Sequence, residues 1–166
     1  MRFPSALRSG APAAPSLRFI ALSSLGAGLA IATTGWLSLI SGTPWLMAPF
    51  GASCVLAFGV PDSPLAQPRA IIGGHLIATL IGLITAQLLG DSWIALAVAV
   101  ALALAAMQLT RTVHAPAGAD PIVVILAHAP FSYLVSPVLA GSLVIVAFAW
   151  AINQLQHPGK YPRYWL

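Results

Sequence analysis

Apolar residues in this chain are gathered into long runs separated by short polar or broken stretches. Four runs, residues 19–40, 70–90, 92–109 and 132–152, carry strong helix formers and almost no charge. Each is close to the roughly 20 apolar residues that a helix needs to cross a bilayer core. Two further apolar stretches, 48–60 and 115–129, are shorter and interrupted by Pro and Gly. The pattern predicts an all-α membrane protein with four long transmembrane helices and two short broken or half-helices.

The two short stretches begin alike, Ala48-Pro49-Phe50-Gly51-Ala52-Ser53 and Ala115-Pro116-Ala117-Gly118-Ala119-Asp120, and each continues into an apolar run. Farther on, Pro68-Arg69-Ala70-Ile71-Ile72-Gly73-Gly74 stands opposite Pro137-Val138-Leu139-Ala140-Gly141-Ser142. The chain reads as two repeats, 19–90 and 92–153, each a long helix, a short broken element and a long helix. Chance similarity in an Ala- and Gly-rich membrane chain is the competing explanation. A disordered cytoplasmic N-terminal tail is expected over 1–18, and a polar C-terminal tail over 154–166.

Pro and Gly disfavour a continuous helix, so Ala-Pro-x-Gly-Ala is expected to be extended or turned. Ser53 and Asp120 then fall where a helix N-cap belongs, with Pro121 at the first helical position. Half-helices of about 7–9 residues would follow, roughly 10–14 Å long at 1.5 Å per residue. Irregular backbone at membrane depth is tolerated only where protein or a watery cavity satisfies it, which suggests a pathway. Two topologies fit. If the short elements cross the membrane there are six passes and the repeats are inverted, as in many transporters. If they re-enter, four passes remain and Arg69 and Arg111 face outward. The first places all Lys and Arg on the cytoplasmic side, as the positive-inside rule prefers.

Composition supports this class. Hydrophobic residues make up 59% of the 166 and charged residues 6%, against roughly 25% charged in a soluble domain. The formal charge of +4 comes from scattered side chains and forms no basic stripe, so no nucleic-acid partner is expected. Cys54 is the single cysteine, which excludes a disulfide framework and points to an inert core thiol. The first apolar run is too long for a secretory signal core. No catalytic motif, paired carboxylates, cofactor loop or metal-ligand spacing is present, so neither an enzyme nor a metal or cofactor site is expected. The expected location is a bacterial inner (plasma) membrane with the N-terminus cytoplasmic, and the lipid bilayer is the first partner.

Candidate chemistry gathers around the short elements. Helix N-termini attract small anions, so Gly51, Ala52, Ser53, Gly118 and Ala119, with Arg69 and Arg111 nearby, form a candidate anion site between the repeats. The alternative is that both arginines snorkel to the interface and anchor helices. His114, before the second short element, and His75, after Gly73-Gly74, are candidate intramembrane ligands. Asp120 caps its helix or, alternatively, couples protons or binds a cation. His128 is expected at the far end of its half-helix, where a cation suits the dipole. Gly74, Ala78, Gly82 and Ala86 form a stripe of small residues that lets helices approach closely.

The combined motifs Gly51-Ala52-Ser53, Ser63-Pro64-Leu65-Ala66-Gln67-Pro68-Arg69, Gly73-Gly74-His75 and the run from Leu109 to Ala119 resemble the HPP family of integral membrane proteins, over about residues 17–153. The family's His-Pro-Pro-Ala-Gly-Ala motif maps onto His114 to Ala119, with Ala115 replacing the first Pro. The resemblance implies a compact bundle, and some plant-plastid and cyanobacterial members act as nitrite transporters. Transport of a small inorganic anion, nitrite first, is therefore expected, in a homo-oligomer. Two alternatives are a channel or proton- or cation-coupled transporter for another small solute, and an accessory or sensor subunit that moves nothing.

Overall fold

The structure, a computed structural model, describes residues 12–165. Arg2, Arg8 and most of the expected N-terminal tail lie outside the described residues. Helix α1 spans Leu17–Ser41, α2 Ala48–Cys54, α3 Pro68–Leu89, α4 Trp93–Thr110, α5 Asp120–Leu126 and α6 Ala140–Gln156. The hydroxyls of Ser16 and Ser92 start α1 and α4 by accepting from Phe19 N–H and Ala95 N–H, both at 3.2 Å. Such caps supply partners that the first helical turn lacks.

The short elements differ from expectation. Residues Ala48–Cys54 form an α-helix that continues as a π-helical turn, Val55–Gly59, and Ala115–Ala119 form a 3-10 turn leading into α5. Neither Ala-Pro-x-Gly-Ala segment is extended, because Pro49 and Pro116 lie in the first turn, where a missing N–H and a fixed φ cost nothing. Ser53 consequently lies near the end of α2 and Asp120 is the first residue of α5. Neither side chain caps a helix; both are turned to another use, described below. The fourth apolar run is also interrupted. Ser136 has φ −134° and ψ 114°, the extended geometry that a following Pro137 imposes. A 3-10 turn and a π-helical turn therefore precede α6.

Contacts between termini define two faces. On one, Arg18 donates to Leu155 O at 3.2 Å, Arg69 to Thr110 O at 2.9 Å and Arg163 to Asp62 at 2.8 Å. Lys160 lines a cleft there with Ser16, Val60 and Asp62. On the other, His128 meets Asp91 at 3.2 Å, and Gly42 to Pro44 line a cleft with Ala127, Ala129 and Pro130. Both short elements thus run from one face to the other, in opposite senses, and they do not re-enter. All five described Lys and Arg residues, Arg18, Arg69, Arg111, Lys160 and Arg163, belong to the first face. Charge asymmetry of this kind is what membrane insertion selects.

Packing exchanges between the two halves. Helix α3 packs on α4 and α5, while α6 packs on α1 and on α2 with its π-helical turn. The residue offset that aligns Ser53 with Asp120 also aligns Gly74 with Gly141 and Phe50 with Ala117. A Cβ on Gly74 would lie 3.5 Å from Ala117 Cβ, and one on Gly141 would collide with the Phe50 ring. The same close approach is made twice, each time between the halves. The small-residue stripe on α3 makes the contacts expected of it: Ala78 is fully buried, and a Cβ on Gly82 would lie 2.6 Å from Pro121 Cα.

Outward faces are apolar, with Trp36, Leu39, Leu88, Trp93 and Leu109 exposed, as a lipid-facing surface requires. Carbonyls freed at the end of the first short element are satisfied inside. Ser23 donates to Phe58 O at 2.8 Å and Asn153 to Ala57 O at 3.1 Å. The C-terminal residues are docked against the bundle: Tyr161 is buried and its hydroxyl donates to Ala66 O at 3.0 Å, while Arg163 N–H donates to Gln67 Oε1 at 2.8 Å. Gln67 is itself buried and donates to Pro61 O and Ser63 O, both at 2.9 Å. It thereby ties the turn before α3 to the tail.

Candidate functional site

Glycines on α3 assemble the site. A Cβ on Gly73 would lie 2.7 Å from Thr112 Cγ2, and one on Gly74 would lie 2.6 Å from His114 Cβ. Real Cβ atoms do not approach so closely, so only glycine lets the segment after α4 lie on α3. That contact seats His114 beside His75, the next residue on α3, with ring centroids 4.9 Å apart. Phe50 of α2 meets the His75 ring edge-on at 5.2 Å. Gly82, farther along α3, admits Pro121 and so places Asp120.

The result is a continuous chain of hydrogen bonds. Asp120 Oδ2 lies 2.6 Å from His75 Nδ1, His75 Nε2 lies 2.7 Å from Ser53 Oγ, and Ser53 Oγ lies 2.8 Å from His114 Nε2. His114 Nδ1 ends the chain 2.7 Å from Leu65 O. Ser53, His75, His114 and Asp120 are each 0% exposed. A buried relay of this kind is strong when satisfied and costly when broken.

Valence sets the direction of most of its protons. A carbonyl oxygen accepts only, so His114 Nδ1 carries hydrogen and donates to Leu65 O. A neutral His114 then presents a bare Nε2, which the Ser53 hydroxyl must serve as donor. Ser53 Oγ in turn accepts from His75 Nε2–H. The remaining proton is shared between His75 Nδ1 and Asp120 Oδ2. Asp120 Oδ1 and the neighbouring Thr79 Oγ1 are buried beyond the end of this chain, with no third group in hydrogen-bond reach.

Not all residues singled out in the sequence reach this cluster. Gly51, Ala52 and Ala119 are exposed and Gly118 is half-buried, on the side of the short elements turned away from the relay. Arg69 spends its guanidinium on Thr110 O at 2.9 Å and Arg111 O at 3.4 Å, closing the carbonyl end of α4. Arg111 is exposed and takes the left-handed conformation at the end of that helix, with φ 59°. His128 does follow the end of α5, and it has found a partner in Asp91, which sequence reasoning had left unassigned. Thr79 and Leu65 were also missed. A threonine inside an apolar run carries little signal, and a backbone carbonyl carries none.

The Asp–His–Ser connectivity matches that of a serine hydrolase triad. Its surroundings do not. Ser53 sits within its own helix with a second imidazole against its hydroxyl, leaving no room for an acyl substrate. Clefts of about 450 and 420 Å³ open on the two faces, and neither is lined by Ser53, His75, His114 or Asp120. On the Asp91 side, buried Tyr133 lines the cleft, and its turn packs on α3, the helix that carries His75. Among the described residues, no three His, Cys, Asp or Glu side chains converge as metal ligands.

Four long apolar helices and two short crossing elements, closed around a buried polar relay, define a multi-pass integral membrane protein. The chain belongs to the HPP family: residues 12–162 match the model of the HPP transmembrane region. It is similar to two transmembrane proteins of Dictyostelium discoideum. One is 36% identical over 131 residues, covering 74% of this chain and 42% of that protein. The other is 34% identical over 128 residues, covering 72% and 45% respectively. The matched region is thus less than half the length of these curated relatives. No solved structure matches the chain.

Proposed function

We propose that the protein carries a small monovalent inorganic anion, nitrite first, across the membrane through the cluster of Ser53, His75, His114 and Asp120. The observation that carries this reading is the position of the relay: fully buried, built from both halves, and lying between clefts on opposite faces. A scaffold has no need to keep two histidines and a carboxylate out of water, because intramembrane ionisable groups are expensive. The cluster has hydroxyl and imidazole donors suited to a small oxyanion, and the Thr79 hydroxyl beside Asp120 supplies a further one. The resemblance to nitrite-transporting HPP members selects nitrite among anions of this size.

In this reading the basic face is cytoplasmic, with the N-terminus inside, in a plasma membrane of bacterial type. Arg111, exposed there, raises the local anion concentration, whereas Arg69 holds the end of α4. The exposed small residues Ala48, Gly51, Ala52 and Gly59 on one face of the first short element offer a close-packing surface, which suits a homo-oligomer with one site per chain. The test is uptake of labelled nitrite by liposomes holding the purified protein. Uptake no faster than in empty liposomes removes the reading.

The triad-like connectivity favours one competing reading, an intramembrane hydrolase using Ser53. A fluorophosphonate probe that labels wild-type protein but not Ser53→Ala would establish it.

A further inference from the structure

We propose that the relay is a proton-loading site that takes up one proton with each anion it binds. The inference rests on the anion-transport reading and adds the coupling to it. It follows from the two acceptors within reach of one hydroxyl: Ser53 Oγ is 2.8 Å from His114 Nε2 and 3.0 Å from Pro49 O.

In the resting arrangement the Ser53 hydroxyl donates to His114 Nε2 and accepts from His75 Nε2–H. Add one proton to His114 Nε2 and that nitrogen becomes a donor. Ser53 Oγ then accepts from both imidazoles, one to each lone pair, and turns its own hydrogen to the Pro49 carbonyl. Every ring nitrogen of the relay and Ser53 Oγ stay satisfied in both arrangements. They differ by one proton and by rotation of one O–H bond, with no heavy atom displaced.

Charge supplies the coupling. One proton shared between His75 and Asp120 leaves the resting cluster neutral overall, and the loaded cluster carries a single positive charge. A lone charge buried from water is strongly disfavoured, whether it is the added proton or an unaccompanied anion. Together they neutralise one another, so each raises the affinity for the other, and by the same factor. The proton comes from water on the side where the anion enters and leaves with it, so no net charge crosses. The Thr79 hydroxyl, beside Asp120, is the donor of the cluster left for the guest.

The neighbours support this count. Against His75 and Asp120 stand Phe50 and Ser53 from α2, His114 from the turn before α5, and Tyr133 from the turn before α6. Helix α4 brings apolar Ala103 and Met107 to its contact with α3. The Ser142 hydroxyl of α6 is spent on its own helix, at Val138 O. No lysine or arginine is among these groups, so the positive charge opposite a buried anion has to come from a proton.

The experiment mixes detergent-purified full-length protein, in weakly buffered solution, with sodium nitrite adjusted to the same pH, and reads proton uptake with a pH dye while binding is measured in parallel. The expected result is about one proton per nitrite bound, retained in Ser53→Thr and lost in His114→Gln. Nitrite binding without proton uptake by the wild-type protein overturns the inference and leaves the anion reading standing. No nitrite binding at all removes the anion reading and this inference with it. The wild-type ratio decides the matter even if a variant fails to fold.

Discussion

Ser53 and Asp120 occupy matching positions in the two short elements and are held by opposite nitrogens of one imidazole, His75, at 2.7 and 2.6 Å. A single side chain on α3 therefore joins the two halves at one pair of equivalent positions. The halves differ there, hydroxyl against carboxylate, and that difference gives the relay a direction.

Asp120→Asn should slow anion uptake while keeping the fold, because the amide retains a partner for His75 but cannot ionise to share a proton with it. Asp120→Ala should destabilise more, by roughly 3 kcal/mol, since deleting one member of a buried pair leaves the other unpaired. Thermal unfolding in detergent ranks the two variants. Equal stabilities would show that the buried pair does not matter to the fold.

The close approach at Gly82 fixes α5 and with it Asp120. Gly82→Val should cost about 1–3 kcal/mol by overpacking and reduce uptake together with stability. Gly28→Ala is the control: nothing lies within 4 Å of an added Cβ there, and removing a helix-interior glycine should stabilise by up to about 1 kcal/mol. If both changes behave alike in a melting experiment, the packing of α3 on Pro121 is misplaced.

The two arginines should separate. Arg69→Ala removes charge-assisted bonds to the last carbonyls of α4 and should lower stability by about 1–2 kcal/mol. Arg111→Gly relieves a left-handed residue, so it should be neutral or stabilising by a few tenths of a kcal/mol. The same change should slow anion uptake at low salt, an effect that fades as salt rises. Uptake that falls equally in both variants at every ionic strength would instead mean that both guanidiniums touch the anion.

Burial pushes the Tyr161 phenol above its ordinary range. Its contribution is therefore present below the unfolded value of about 10 and is lost as pH rises further. Tyr161→Phe should cost about 1 kcal/mol near neutrality and make stability less sensitive to alkali than in wild type. Unfolding curves at several alkaline pH values test both parts; parallel losses would show that Tyr161 does not hold the tail.

Much of this was legible in the sequence, for a physical reason in each case. Continuous apolar runs can do little in water, so the four long spans were read directly. Ser53, His75, His114 and Asp120 were each singled out as polar groups at membrane depth, and the resemblance to the HPP family was carried by the motifs that hold them. Their meeting was not legible. Helices such as α1 and α4 are apolar all round, so no periodicity says which face turns inward. The proline rule misled at 48–54 and 115–119, because Pro49 and Pro116 stand in a first turn, where proline fits. The docked tail was hidden as well, since most of its contacts involve backbone groups, with one buried tyrosine and the Arg163–Asp62 pair.

The most direct test of the account compares nitrite uptake into liposomes by wild type, Ser53→Ala and Arg69→Ala at matched protein content. The account predicts uptake well above empty liposomes for wild type, loss of most of it in Ser53→Ala, and retention in Arg69→Ala wherever that variant stays folded. Uptake by Ser53→Ala equal to wild type would contradict the claim that the buried relay is the path of the anion.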